Sequence, residues 1–489
     1  MNRIVVQALA SFLLAVPTFM VAVGNTWTSY TLQTLESEES PLGYKITKNE
    51  GNLIGSVVML GSLTSILIVG YISDKIGRKR TEILSGLCNA LAWSIITTAK
   101  TVTQLIIGRY MIGFGTGLHF VTGVVYVGEI SQTSIRGALL SVMSFMYNIG
   151  TLVSYTEGWF CSYDVINYLN LTLAVVFILL MLCLKETPVY LLRMGKEKEA
   201  LNSLKFYRGA STVTQEILDE MVYIRSQLTN DIHIDNPDLK ISQLEHEKEK
   251  LNQEKETIDE NITGQKSVWT ILRTSKSTQR ALITLVVNMD LGVCMGMIAV
   301  QAYAGQFFTQ AAPSLSPHLC SVILAIVVTI ISGLSVIIVD LVPRRILMMS
   351  SCLTSAGCMA CLATMLRWTW APEWGIPVVM VLFSIFYHLG AVNIPFVQIA
   401  ETLPPQMNSF GTAVVMCSMF VANFAVLFIF KPAVETFGLE GIFLLFAIIG
   451  LVTATSSFLF MRETRRVPFE IVQNTFERGY LYRRKKIIR

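Results

Sequence analysis

The chain has 489 residues, of which 52% are hydrophobic and only 15% are charged, and its formal net charge is +4. Its mean hydropathy of +0.54 excludes an ordinary soluble globular protein of this size. Because a spanning helix needs about 20 mostly apolar residues, a chain with such segments from end to end is expected in a bilayer, surrounded by membrane lipid. We expect no nucleic-acid partner.

Twelve apolar segments are long enough to be predicted as membrane-spanning helices. They lie at 8–30, 53–73, 82–99, 103–128, 137–160, 165–185, 278–305, 318–341, 346–366, 376–399, 408–430 and 439–461. The first follows Arg3 as a signal peptide would, but it is too long for a secretory core and offers no clear small-residue cleavage site. The sequence therefore predicts an all-α membrane protein.

Basic residues set the predicted orientation of these spans. Three basic clusters fall on one side of the predicted topology: 75–80 after the second span, Arg344 and Arg345 after the eighth, and 483–486 near the C-terminus. Since cytoplasmic loops are enriched in Lys and Arg, this side is predicted to face the cytoplasm. The even number of spans then places both termini there.

One long polar stretch, 186–277, separates six spans from six. Its strong helix formers favour partly helical structure, although the charged run at 241–260 fits a solvated or disordered segment equally well. The predicted organisation is an N-terminal six-helix bundle (1–185), a cytoplasmic charged linker (186–277), a C-terminal six-helix bundle (278–462) and a basic cytoplasmic tail (463–489).

The two halves repeat three charged motifs in the same order. The pairs are DKIGRK at 74–79 with DLVPRR at 340–345, Glu129 with Glu401, and KETP at 185–188 with RETR at 462–465. Ordered matches at similar offsets indicate a duplicated bundle, which in membrane proteins is typical of transporters with a site near the midplane.

Several longer stretches carry a family resemblance. They are GYISDKIGRKR at 70–80, the gapless run at 108–137, KETPVYLL at 185–192, IPFVQIAE at 394–401 and RETRRVPFEI at 462–471. These stretches resemble the sugar porters of the major facilitator superfamily, which include carriers of the glucose and trehalose type. The resemblance spans nearly the whole chain. It implies the major facilitator fold, with twelve transmembrane helices in two six-helix bundles, no enzymatic activity and no cofactor or metal.

The resemblance also implies a latch between the two bundles at the cytoplasmic helix ends. Acids and arginines can form bidentate bonds there when the inner gate is shut, and partly exposed pairs are weak enough to open again. The latch residues are Asp74, Arg78, Glu129, Arg136, Glu186, Arg344, Arg345, Glu401 and Glu463. Ordinary interfacial charge is the alternative for each of them. The second half departs from the family pattern, because Pro343 replaces a glycine and Asn408 stands near the position of the usual arginine partner of Glu401.

The residues with which this family holds sugars are mostly replaced. A hexose needs amide and hydroxyl partners for its hydroxyl groups and an aromatic face for its ring. With the family glycine placed at Gly296, every polar member of the QQxSGxN run of the seventh helix is absent. The remaining candidates are Ser144, Asn148, Gln301, Tyr303, Asn393, Phe396 and Asn423. Thr28 and Ser29 late in the first span are further substitutes, with helix-to-helix hydrogen bonding as the alternative.

Asp290 and His388 are candidates for a proton site. Ten residues beyond Arg280, at about 1.5 Å each, Asp290 lies about 15 Å deep, and His388 reaches a similar depth from the other side. An acid and a histidine at one depth can share a proton, whereas an acid bonded to Asn288 and a packed neutral histidine are the alternatives. Arg109 in the fourth span is expected to face the bundle interior or to reach the interface.

The sequence leaves three functions open. The leading one is a carrier in the plasma membrane that moves a small-molecule solute, a hexose or trehalose-like sugar, with or without coupling to protons. The second is a carrier of a non-sugar solute such as an organic ion, favoured by the apolar seventh span and Asp290. The third is a non-transporting sensor that signals through its charged linker.

Overall fold

The computed structural model describes residues 3–132, 135–210, 212–232, 272–273, 275–403, 408–465, 467 and 469–477. The regular secondary structure of these ranges is helical, as the sequence predicts. The latter part of the linker, including 241–260, and the basic residues 483–486 lie outside the described residues.

The first half of the chain folds into seven helices joined by short connections. Two of them begin with capping boxes. The Thr47 and Thr101 hydroxyls each accept a bond from the backbone N–H three residues later, and the backbone N–H groups of these threonines donate to the side chains of Glu50 and Gln104. The helices are α1 (Arg3–Thr26), α2 (Thr28–Leu35), α3 (Lys48–Ile76), α4 (Arg78–Thr97), α5 (Val102–Ile130), α6 (Arg136–Phe160) and α7 (Tyr163–Cys183).

Three shorter helices follow and dock on the first half. They are α8 (Pro188–Arg193), α9 (Glu197–Tyr207) and α10 (Gln215–Ile232). The Tyr207 hydroxyl donates to the Lys185 carbonyl at 2.5 Å, and Arg208 donates to the Ile130 carbonyl at 2.8 Å. The beginning of the predicted linker is therefore helical and attached to the end of α5.

The second half contains more interrupted helices. They are α11 (Lys276–Val293), α12 (Met297–Ala311), α13 (Pro317–Leu341), α14 (Arg344–Trp368), α15 (Gly375–Phe386), α16 (Asn393–Thr402), α17 (Asn408–Phe460) and α18 (Phe469–Glu477). Gly438 breaks α17 with a φ of 71°, so this element covers two predicted spans. Phe476 of α18 is buried and Gln473 donates to the Thr402 carbonyl at 2.6 Å, so the start of the predicted tail packs on the second half.

Every predicted span lies on helical structure: most coincide with one helix or with two successive helices, and the last two share α17. Within the described ranges, nine elements have the length and apolar composition to cross a membrane, and the one at Phe410–Phe460 holds two predicted spans. The remaining two predicted spans correspond to α4 and α6. Large apolar side chains such as Leu67, Leu179 and Ile330 are exposed, as a lipid-facing surface requires. The total of twelve spans and the cytoplasmic termini stay predictions.

Two predicted spans of the second half are broken near their middle. The seventh divides into α11 and α12 at Gly296, whose φ of 93° is left-handed and leaves no room for a side chain beside the ring of Phe446. The tenth contains a π-helical turn at Tyr387–Ala391 between α15 and α16. The Tyr387 hydroxyl donates to the Gly292 carbonyl at 3.1 Å, so the two interruptions lie side by side.

Candidate functional site

Ion pairs join the two halves at one end of the molecule. Lys431 of α17 lies 2.5 Å from a carboxylate oxygen of Glu36, which follows α2, and both side chains are mostly buried. The Gln306 amide donates to the other oxygen of Glu36 at 3.3 Å. A second, more exposed pair links Lys48 of α3 to Glu435 of α17 at 2.6 Å. We call this the outer end, because the predicted topology places it outside the cell.

Helices α2 and α12 meet closely at the same end. The Thr28 hydroxyl donates to the Ala302 carbonyl at 3.0 Å, and the Gly305 N–H donates to the Ser29 hydroxyl at 2.9 Å. A Cβ atom at Gly305 would lie 2.4 Å from the Ser29 carbonyl oxygen, so only glycine permits this approach. Thr28 and Ser29 thus form the helix-to-helix bonds that were the alternative to a role in solute binding.

Tyr303 completes the outer closure. Its ring stacks on Phe430 with centroids 5.2 Å apart, its hydroxyl donates to the Leu427 carbonyl at 3.3 Å, and the Lys431 ammonium lies 5.5 Å from the ring centroid. Two residues earlier, the Gln301 carbonyl accepts a bond of 2.8 Å from Tyr155 of α6. Tyr303, predicted to bind solute, is therefore engaged by α17 of its own half in this state, beside the bond that joins Tyr155 to Gln301 across the halves.

At the opposite end, which we call the inner end, Arg78 is the centre of a charged cluster in the first half. Its guanidinium nitrogens lie 2.9 Å from a carboxylate oxygen of Asp74 and 3.1 Å from one of Glu129, and its Cζ atom lies 5.5 Å from the ring centroid of Tyr190. Arg193 of α8 binds the same oxygen of Asp74 at 3.0 Å. The side chains of Arg78 and Glu129 are only 6% and 14% exposed, so these two charges neutralise each other largely away from water, whereas Asp74 is 57% exposed.

Glu186 caps the start of α4 in the same cluster. Its carboxylate accepts bonds of 3.1 Å from the backbone N–H groups of Arg78 and Lys79, where the helix dipole favours a negative charge. Gly77 makes this possible, since its φ is 100° and a Cβ atom there would lie 2.3 Å from a Glu186 oxygen. Thr187 donates to Glu129 and so joins the cap to the Arg78 cluster.

The second half reproduces these contacts. Glu463 accepts bonds of 2.9 and 3.1 Å from the backbone N–H groups of Arg344 and Arg345 at the start of α14. Glu401 lies 3.3 Å from the Arg344 guanidinium and accepts a 2.5 Å bond from Thr464. The sequence repeat is therefore also a repeat of contacts, and Glu401 is well bonded although the usual arginine partner is replaced.

The described bonds of the predicted latch residues stay within one half of the chain. Asp74, Arg78, Glu129 and Glu186 bind one another, and Arg344, Glu401 and Glu463 do the same. Arg345 donates to the Phe458 carbonyl within the second half, and the side chain of Arg136 lies outside the described residues. Among described residues, no hydrogen bond or ion pair joins the two inner clusters. A latch between the bundles stays a prediction for a different state of the cycle.

Two of the predicted solute-binding residues carry amides without a described hydrogen-bond partner. Gln301 and Asn423 are 7% and 8% exposed, and their side chains form no hydrogen bond within the part of the chain that the structure describes. Ser144 is exposed, and its carbonyl accepts a 2.9 Å bond from Asn148, whose own carbonyl accepts one from Thr329 of the other half. Gln301 and Asn423 therefore retain free hydrogen-bonding capacity for a solute.

The two candidates of the tenth span differ from each other. The Asn393 amide is engaged with the Ser335 hydroxyl at 2.9 Å and the His388 carbonyl at 2.8 Å. Phe396 is 38% exposed and is available as an aromatic face.

Asp290 and His388 do not form a pair in this structure. His388 is bonded through Nδ1 to the Ser384 carbonyl at 2.8 Å, one turn earlier on its own helix. One oxygen of Asp290 is buried and has no hydrogen-bond partner among the described residues. A proton site shared by these two residues stays a prediction.

Arg109 faces the interior of the first half, the first of its two expected positions. It donates to the Gly24 carbonyl and, at 3.1 Å, to the Ile54 carbonyl, and its guanidinium lies 5.4 Å from the ring centroid of Trp27. Its described partners are therefore carbonyl groups and an aromatic ring. Arg109 joins α1, α3 and α5.

Sequence reasoning missed two charge pairs. One is Glu36 with Lys431, for which the signal was a single lysine in the apolar run FIFKPAV at 428–434. The other is Glu82 with His119, which are 2.9 Å apart and fully buried. Glu82 lies two residues after the basic run 78–80. Its position in the sequence is therefore that of an ordinary charge at the membrane surface.

Two repeated helical halves, bonded to each other at the outer end and, in the contacts described at the inner end, bonded within each half, define a membrane carrier of the alternating-access class. The chain belongs to the sugar (and other) transporter family, whose sequence model matches residues 4–236 and 235–476. It is a multi-pass integral membrane transporter and not an enzyme.

Individual relatives match over almost the whole chain. A facilitated trehalose transporter Tret1-2 homolog of Drosophila sechellia is 24% identical over 489 residues, which cover 96% of this chain and 90% of that protein. The facilitated trehalose transporter Tret1 of Apis mellifera ligustica is also 24% identical, over 97% of this chain and 89% of its own.

Solved structures share the fold. The inward-open xylose transporter XylE from E. coli superposes with a TM-score of 0.74 at 16% identity, covering 95% of this chain and 99% of that one. Its partially occluded inward-open form gives a TM-score of 0.70. At this identity the likeness shows the major facilitator fold alone.

Proposed function

We propose that this chain moves a sugar of hexose or trehalose size across the plasma membrane by alternating access. The observation that carries the proposal is the contrast between its two ends. At the outer end, Glu36, Ser29 and Gln301 of the two halves are bonded across the interface, whereas the inner clusters are bonded within each half. A carrier must hold one side closed while the other is free to open, and reversible bonds of this kind permit that exchange.

Support for a sugar comes from two sources. The two relatives described above, which match over almost the whole chain, are named as trehalose transporters. Gln301 and Asn423 retain amide groups that can pair with sugar hydroxyls, and Phe396 offers an exposed ring.

Counterflow in proteoliposomes tests the proposal. Vesicles containing the purified chain are loaded with unlabelled trehalose or glucose and diluted into a trace of the labelled sugar. We expect transient accumulation of at least one of the two labelled sugars. If neither accumulates while another solute is exchanged by the same vesicles, the assignment of a sugar is wrong.

A matched pair of variants tests the site. Gln301→Met removes the unpartnered amide, and we expect a KM for the sugar about five- to thirtyfold higher, because one lost hydrogen bond of a buried polar group costs about 1–2 kcal/mol. Gln310→Met makes the same change at an exposed position of the same helix and should leave KM unchanged. Equal effects of the two substitutions would remove Gln301 from the site.

Asp290 favours a second candidate, a carrier of an organic cation. Its buried and unpartnered oxygen needs a positive partner or a proton. Counterflow of a labelled small organic cation in the same vesicles separates the two functions. Cation counterflow that is lost in Asp290→Asn, in vesicles that show no sugar counterflow, would establish the cation carrier.

A further inference from the structure

A buried acid, a buried histidine and a hydroxyl connect three helices of the first half. Glu82 of α4 lies 2.9 Å from His119 Nδ1 of α5, and Thr18 of α1 is bonded to His119 Nε2 at 2.8 Å. The exposed fractions of Glu82, His119 and Thr18 are 0%, 1% and 6%. None of the three belongs to the solute site or to the inner charged clusters.

The three groups can hold a variable number of protons without losing a hydrogen bond. When imidazole is neutral, Nδ1–H donates to the Glu82 carboxylate and Nε2 accepts from the Thr18 hydroxyl. When a proton is added to Nε2, the Thr18 hydroxyl rotates and accepts instead of donating. A hydroxyl can play both roles, so proton uptake changes the charge of the site and preserves its geometry.

Glu82 offers a second place for the proton. Its Oε1 atom is buried and has no hydrogen-bond partner among the described residues, while Oε2 is bonded to His119. A buried carboxylate is costly unless it is paired with a positive charge or carries a proton. An acid and a base that share one hydrogen bond bind protons as a unit, so the added proton belongs to the pair.

The surroundings supply no other charge in contact with the pair. Tyr126 of α5 interacts electrostatically with Glu82, but its hydroxyl donates to the Lys185 carbonyl. The other charged or titratable side chains described on the helices packed here form no hydrogen bond or ion pair with the three residues. They are Arg3 on α1; Arg78, Lys79, Arg80 and Cys88 on α4; Arg109, Tyr110 and Glu129 on α5; Tyr147, Tyr155 and Glu157 on α6; and Tyr163, Asp164, Tyr168 and Cys183 on α7.

We propose that Glu82, His119 and Thr18 form a proton-binding site that takes up one proton and makes the transport rate depend on pH. Thr18 lies on α1, which leads directly into α2, and the closure of α2 against α12 shuts the outer end. A change of charge beside α1 therefore biases the position of the segment that closes the carrier.

Proton uptake is tested without any solute, by infrared spectra and histidine ¹⁵N resonances of the full chain between about pH 5 and pH 8. We expect a titrating signal from a buried carboxyl or imidazole that disappears in Glu82→Gln. The exposed Glu373→Gln variant serves as control and should retain the signal. Identical titrations in the wild type and Glu82→Gln would overturn the site.

A second variant covers the case in which Glu82→Gln fails to fold. His119→Gln keeps an amide donor for Glu82 and removes the base, so the midpoint of the remaining carboxyl titration should shift by about one pH unit or more. An unchanged midpoint in that variant contradicts the coupling of the two residues.

The effect on transport is measured separately and rests on the proposed sugar transport. We expect the wild-type counterflow rate to change about tenfold or more over this pH range and the Glu82→Gln rate to be flat. An equal pH dependence in both proteins would overturn the functional part. Because the spectra need no sugar, a failure of sugar transport leaves the proton site independently testable.

Discussion

Glu36 and Lys431, which are far apart in the sequence and belong to opposite halves of the chain, lie 2.5 Å apart at the outer end. Lys431 also lies over Tyr303, and Glu36 also accepts a bond from Gln306. This pair therefore connects the end of α2 to both α12 and α17. Because the inner clusters are bonded within each half, the outer pair is the contact whose loss should change the balance between the two states most directly.

Reversing one charge of this pair should favour opening of the outer end. We expect Glu36→Lys or Lys431→Glu alone to weaken the closed outer end by about 1–2 kcal/mol, which changes the ratio of the two states about five- to thirtyfold. The double exchange should restore it. Distances between spin labels at the exposed Glu39 and Gln310 report the populations, and genetically encoded labels are needed because all nine cysteines are unpaired.

The more exposed pair at the same end provides the control. Lys48 and Glu435 are 73% and 51% exposed, and exposed pairs contribute little to stability. Glu435→Gln should leave the distance distribution unchanged. A double exchange at Glu36 and Lys431 that fails to restore the closed state would mean that the pair accompanies closure without stabilising it.

Gly305→Ala should interfere with closure by sterics instead of charge. The added Cβ would lie 2.4 Å from the Ser29 carbonyl oxygen, so α2 and α12 must separate at a cost of about 1–3 kcal/mol. The same spin-label pair should then show a larger open fraction. Gly333→Ala on α13 places its Cβ in open space and is the matched control, which should behave as the wild type. Equal distributions for the two variants would refute close packing at Gly305.

The helices could be predicted from the sequence, whereas the contacts between the halves could not. A run of about 20 apolar residues determines a spanning helix locally, so the predicted segments coincide with the observed ones. The breaks at Gly296 and at Tyr387–Ala391 depend on tertiary neighbours such as the ring of Phe446 and were not predicted. Glycine is tolerated inside many helices, so its presence alone does not indicate a break.

The candidate site shows the same division. The family resemblance assigned Asp74, Arg78 and Glu129 to a latch between the bundles, and the structure places the three in one cluster within the first half. Which bundle each group would contact depends on the state of the carrier, and a sequence does not specify one state. Tyr303 was assigned to the solute by its position along the seventh span, but its stacking on Phe430 could be known only once α12 and α17 were placed side by side.

Gly77→Ala should destabilise the first half through two separable effects. A non-glycine residue at a φ of 100° is strained by about 1–2 kcal/mol, and the added Cβ would also displace the Glu186 carboxylate from the start of α4. Gly195 has a φ of 71° and open space around it. Gly195→Ala should therefore cause the backbone strain without displacing a neighbouring group. Thermal unfolding in detergent should show a larger loss for Gly77→Ala, and equal losses would exclude a contribution from the displaced carboxylate.

The duplicated carboxylate caps should contribute equally to stability in the two halves. Glu186→Gln and Glu463→Gln each replace a negative charge that accepts two backbone N–H bonds at a helix start, so each should lower the free energy of unfolding by about 1–2 kcal/mol. Glu216→Gln, which breaks an exposed pair with Arg3 at 3.4 Å, should change it by less than about 0.5 kcal/mol. Thermal and denaturant unfolding of the three variants measures the difference. Pro343 stands at the second cap where the first has Gly77. If Glu463→Gln left the free energy of unfolding unchanged, only the first half would depend on its capping carboxylate, although both carboxylates accept two backbone bonds.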